Sequence, residues 1–142
     1  MKSSNKVKQV PIKPIDVIKS NESEQQQKFI AWVNLYKNLP EYKCLKLLYH
    51  PANEGKRSHY TGKKLKDEGL LAGVVDICLP ASRGRFHGLY IEMKYGKNKL
   101  TQEQRAFLKG VKEEGYATGL CYSADEAIAL VKKYLLLPKR SF

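Results

Sequence analysis

The sequence predicts a mixed α/β fold, with a small central sheet flanked by helices. Stretches with apolar residues at helical spacing alternate along the chain with short runs rich in Val, Ile, Leu and Tyr. The helical stretches open on Ser, Thr or Asn with Glu or Gln three residues on, the reciprocal spacing that satisfies the open N–H groups of a first turn. The two most strand-like runs, Val74–Leu79 and Leu89–Lys94, are separated by Pro80, Gly84 and Gly88, which suits an antiparallel pair joined by a long loop.

At 142 residues the chain has material for one hydrophobic core and not for two. Residues 1–20 carry Lys2, Lys6, Lys8, Lys13 and Lys19 with Pro11 and Pro14 and no helical periodicity, and read as a flexible basic arm ahead of a single domain over 21–142. A helix is expected from Glu22 to Asn38, capped by Asn21 with Glu24 at the box position and closed by Pro40. Its residues Phe29, Ile30, Trp32, Val33 and Tyr36 recur at helical spacing, which places Trp32 in the core. Cys44–Tyr49 reads as a strand running into the turn-forming His50-Pro51-Ala52-Asn53-Glu54-Gly55. A short polar helix over Thr61–Glu68, stopped by Gly69, precedes the two central strands. Thr101 with Gln104 opens a helix over Gln102–Glu114 that ends at Gly115. Ala117–Tyr122 is a third strand, and Ser123 with Glu126 opens a last helix to Leu136, with Pro138 beyond.

Net charge narrows the partners. Twenty-six Lys and Arg against fourteen Asp and Glu leave +12, a surplus that suits either a polyanion such as DNA or a lysine-rich solubilising surface. No apolar run is long enough to span a membrane and no signal-like segment follows the first lysines, so a cytoplasmic protein is expected. Cys44, Cys78 and Cys121 are odd in number and lack metal-ligand spacing, and are expected to be small core thiols.

The chemistry concentrates in the central strands. Asp76 stands among Val74, Val75, Ile77 and Leu79, where an uncompensated carboxylate is expensive to bury. Glu92 and Lys94 are two apart, hence on one face of their strand, and pairing of the strands brings Asp76 beside them. Two carboxylates and the Met93 carbonyl offer oxygen ligands to a hard cation such as Mg²⁺, and Lys94 can orient a water or stabilise developing charge. A cross-strand salt bridge on a solvent face uses the same residues.

Four segments, His50-Pro51-Ala52-Asn53-Glu54-Gly55-Lys56-Arg57, Glu68-Gly69-Leu70-Leu71-Ala72-Gly73-Val74-Val75-Asp76, Gly88-Leu89-Tyr90-Ile91-Glu92-Met93-Lys94 and Thr101-Gln102-Glu103-Gln104, together resemble the VRR-NUC domain. Glu22 with Gln26 and Gly115-Tyr116 extend the likeness to about residues 22–136. The chain departs from that pattern at Glu54, where glycine is usual, and at Val75, where proline often precedes the aspartate. The resemblance implies a PD-(D/E)xK nuclease fold, Mg²⁺- or Mn²⁺-dependent cleavage of structured DNA such as four-way junctions, a phage or bacterial source, and a homodimer. It implies Asp76 and Glu92 as metal ligands, Glu22 as an acid that joins the metal directly or through water, Lys94 as the catalytic lysine, and Gln104 as the glutamine of the following helix. A non-catalytic nucleic-acid-binding module on the same fold is the alternative.

Other residues have plainer readings beside the functional ones. Glu22 suits the positive end of a helix dipole, and Glu24 is a rival for the metal-facing place. Gln104 is explained by capping alone, and His50 by turn packing. Lys56, Arg57, Lys63, Lys64 and Lys66 form a dense basic segment before Asp76 and are expected to contact DNA phosphates, with Arg83 and Arg85 of the hairpin loop as further candidates. Leu135, Leu136 and Leu137 are either a dimer seam or the end of a core helix.

Overall fold

A computed structural model of the chain describes residues 14–51 and 59–142, with backbone alone for 14–20 and 59–61. The basic arm as far as residue 13, and Asn53, Glu54, Lys56 and Arg57, lie outside the described residues.

The first helix, α1 (Pro14–Tyr36), begins inside the segment expected to be a flexible arm, eight residues before the expected Glu22 start. Proline is at home in a helix's first turn, and nothing between Pro14 and Glu22 breaks the helix. Asn21 is therefore an interior residue and not the N-cap. A 3₁₀ helix (Pro40–Leu47) replaces the expected strand over Cys44–Tyr49. Pro40 sits in its first turn and biases the chain toward helix, and only Tyr49 escapes to pair with Cys78, at 3.0 and 2.9 Å. The polar helix α2 (His59–Asp67) is followed by Gly69 at φ 102°, the left-handed stop its sequence called for.

β1 (Ile77–Leu79) and β2 (Leu89–Met93) are antiparallel, with Ile77 opposite Ile91 and Leu79 opposite Leu89. Both are shorter than expected, so Asp76 enters at the mouth of β1 and Lys94 leaves just past the end of β2. α3 (Gln102–Glu113) carries the complete capping box of Thr101 and Gln104. β3 (Ala117–Cys121) then returns parallel to β2, giving a three-stranded mixed sheet in the order β1-β2-β3. α4 (Ala124–Leu135) closes the fold. Ser123 caps it as expected, but Glu126 turns back to accept from Tyr122 N–H at 2.7 Å and so does not complete a reciprocal box.

Alternation along β2 separates two layers. Leu89, Ile91 and Met93 face Phe29 and Val33 of α1 and Ala127, Val131 and Tyr134 of α4, forming the main core. Tyr90 and Glu92 point to the opposite face, where Tyr90 meets Phe107 of α3 at 5.3 Å and Glu92 meets Gln104. Trp32 packs at the edge of the core, stacked on Phe29 and Tyr36. Cys78 and Cys121 are buried free thiols, while Cys44 is only half-buried. At the end of α4, Leu135 packs on the core, and Leu136 just beyond it is 86% exposed. No helix among the described residues is long and apolar enough to cross a membrane.

Candidate active site

The site forms where β1 begins and β2 ends. Extending the β1–β2 register by one residue sets Asp76 opposite Glu92, and side chain and backbone interlock there. Asp76 N–H donates to Glu92 Oε2 at 3.1 Å, and Met93 N–H donates to Asp76 Oδ2 at 2.9 Å. Each acid is thus held by a backbone donor of the other strand. The His50 ring Nδ1 hydrogen-bonds the Asp76 carbonyl, tying the Tyr49–Cys78 bridge to the same point.

Glu22 completes the group from α1. It precedes Phe29 by seven residues and Val33 by eleven, so it lies on the stripe that those residues bury. Carboxylate oxygens of Glu22, Asp76 and Glu92 all lie within 4.8 Å of one another. Glu24, the rival position, is exposed.

Around Glu92 the polar contacts are close. It is only 1% exposed, its Oε1 accepts from Gln104 Nε2 at 2.6 Å, and Lys94 Nζ stands 3.3 Å from the same oxygen. Gln104 does two jobs at once. Its Oε1 accepts from Thr101 N–H at 3.0 Å in the capping box, which orients the amide so that its NH₂ faces Glu92. Burial, reinforced by the Asp76 carboxylate, pushes Glu92 up from 4.5 to about 8, against the opposing pull of Lys94.

Among the described residues, three carboxylates gather within 4.8 Å of one another with Lys94 beside Glu92, and a proton or a cation relieves their mutual repulsion. The donors are all oxygen, with no thiol and no imidazole in the group, which is the chemistry of a hard divalent cation and not of zinc or copper. The residues present therefore fit a Mg²⁺- or Mn²⁺-type ion. The Met93 side chain is buried in the core and its N–H is committed to Asp76. Its carbonyl is the only part of Met93 that a ligand role would use.

The basic residues divide by position. Lys63, Lys64 and Lys66 are exposed on α2, with Lys64 only 3.9 Å from Glu68 in a loose surface pair. Arg83 is half-buried in the hairpin loop, where its guanidinium donates to the Ser82 carbonyl and approaches Cys44 Sγ. Arg85 is exposed over the Phe86 ring. His50 packs at the turn as its sequence suggested, through a hydrogen bond to a backbone carbonyl twenty-six residues away. The cleft beside Gln104 that Leu70–Val74 walls has no signal in the sequence, since loop residues carry no periodicity.

The family model described as the VRR-NUC domain matches residues 14–125. Among solved structures, a "VRR_NUC domain protein" superposes with a TM-score of 0.71 and 25% identity, covering 84% of this chain and 91% of that one. No curated protein matches.

Proposed function

Because the chain belongs to the VRR-NUC domain family, whose fold is of the nuclease type, we propose that it is a metal-dependent, structure-selective DNA endonuclease. Its substrate is branched DNA such as a four-way junction, cut by a homodimer inside a bacterial or phage-infected cell. The observation that carries this reading is the acid cluster of Glu22, Asp76 and Glu92 with Lys94 and Gln104 gathered on Glu92. A salt bridge needs one acid for one lysine. Three acids focused on one point supply the oxygen donor set that a hard cation takes.

Asp76, Glu92, Glu22 and the Met93 carbonyl would hold Mg²⁺ or Mn²⁺. The ion, when bound, supplies charge stabilisation at the phosphate and a more acidic water. The chain's own groups do the rest. Lys94, whose ammonium stands against Glu92 past the end of β2, would orient the attacking water and stabilise charge developing on the phosphate oxygens. Gln104 fixes the Glu92 oxygen that Lys94 also approaches, so that the two cannot drift apart. Lys63, Lys64 and Lys66, with Lys56, Arg57, Arg83 and Arg85, position the phosphate backbone through charge. Two symmetric cuts in a four-way junction need two such sites, which a two-fold dimer supplies.

Labelled four-way junction, flap and linear duplex, incubated with Mg²⁺, Mn²⁺ or EDTA, test the proposal. Wild type is expected to cut the junction with metal only. Lys94→Ala and Asp76→Ala, shown to be folded, are expected to lose at least a hundredfold in rate, on the order of what a positioned acid–base group contributes. Binding of these DNAs without cutting under any metal would instead make the protein a nucleic-acid-binding module.

A further inference from the structure

A cleft of about 280 Å³ opens beside Gln104, walled on one side by Leu70–Val74 and on the other by the first turn of α3, with Lys66 of α2 also lining it. Both walls lead to the acid cluster. The first runs on through buried Val75 to Asp76, and the second delivers Gln104, whose amide is bonded to Glu92. The walls meet at Gly73, which has φ 86° and whose added Cβ would overlap the Glu103 backbone, so the cleft has a fixed inner end. Leu70, Leu71, Ala72 and Val74 make its lining largely apolar, and Leu71 is 57% exposed.

We infer that this cleft takes one unpaired nucleobase next to the phosphate held at the acid cluster, and so selects DNA that is not continuously paired at the cut. The inference rests on the nuclease reading for its substrate. Size limits the occupant, because the volume is just under the roughly 300–1,000 Å³ of pockets that hold drug-sized ligands, enough for one flat ring system and not for a base pair. Charge limits it further. Glu103 lines the cleft and disfavours a phosphate inside it, whereas a neutral base face suits the leucine and valine wall. Lys66 can take a phosphate of the same strand outside. A base inside a duplex enters only after unpairing and unstacking, so flaps, bulges and branch points are favoured over intact duplex.

The test measures binding apart from cutting. A duplex with one unpaired 2-aminopurine and the same duplex fully matched are titrated in Ca²⁺ and in EDTA, following affinity and 2-aminopurine fluorescence. The unpaired duplex is expected to bind about tenfold tighter, of the order that burying part of one base face on an apolar wall provides, with a fluorescence change on binding. Ala72→Phe, filling the cleft from an exposed turn, and Leu71→Asp, charging its wall, are expected to bring the ratio of affinities to about one. Thermal midpoints confirm that each variant is folded. Equal affinities for the two duplexes in wild type, or a preference that survives both variants, would overturn the inference. Selective binding without any cutting in Mg²⁺ or Mn²⁺ would sink the nuclease reading and leave the base-binding cleft standing.

Discussion

At the scale of single residues, Glu92 is the group whose environment most changes its chemistry. Its folded value of about 8 lies far above its ordinary 4.5, mainly through burial and then through Asp76. Between those values the folded state keeps a proton that the unfolded state has lost, so folding stability falls as pH rises. The contribution of protonated Glu92 is intact below 4.5 and is lost as pH climbs toward 8. In EDTA the thermal midpoint is therefore expected to fall across that window, and Glu92→Gln is expected to flatten the fall. With Glu92 as the proposed ligand, Mn²⁺ would displace the same proton, so the rise in midpoint it produces is expected to grow with pH over that interval. A Mn²⁺ shift independent of pH would show that Glu92 is not a ligand. Asp76, Glu92 and Lys94 were legible in the sequence, as acids and a lysine set among apolar strand residues. Glu22 was legible only through its family likeness, although its place on the Phe29–Val33 stripe is a signal of the same kind.

Among elements, α3 shows how a local motif acquires a distant use. The Thr101–Gln104 box would cap any helix, but here its amide also satisfies a buried carboxylate from β2. Thr101→Ala removes only the hydroxyl that accepts from Gln104 N–H, and is expected to cost about 1 kcal/mol. Gln104→Leu strips a donor from buried Glu92 as well, and is expected to cost more, about 1–3 kcal/mol in urea denaturation. Equal losses would mean that the Glu92 contact adds nothing beyond the cap. Boundaries followed their chemistry where a breaker or cap was present, as at Gly69, Thr101, Gly115 and Ser123. They failed where two local preferences competed. Asn21 and Glu24 imitate a helix start, yet an earlier proline begins α1, and Pro40 converts an apolar run with strand character into a 3₁₀ helix.

Over the whole molecule, +12 of net charge makes any DNA binding steeply dependent on salt. The logarithm of affinity for duplex is expected to fall linearly with the logarithm of salt. Reversing Lys63, Lys64 and Lys66 one at a time to glutamate is expected to lower that slope by about one for each lysine that meets a phosphate. Lys64 tests the weakest case, because its pair with Glu68 is exposed and contributes little. A slope unchanged by all three would return the basic surplus to a solubilising surface.

By itself the sequence determined the α/β class, the antiparallel meeting of β1 and β2, the capped helices α3 and α4, and the candidate acids and lysine. Each of these depends on interactions within a few residues or on a period that repeats along one element. Only the tertiary structure decided that β3 returns parallel to β2, that Glu22 and not Glu24 joins Asp76 and Glu92, that Gln104 serves a cap and a carboxylate together, and that a cleft opens beside them. Those features join different elements, twelve residues apart for Gln104 and Glu92 and seventy for Glu22 and Glu92. They follow from how the layers pack on the sheet, which no local preference specifies.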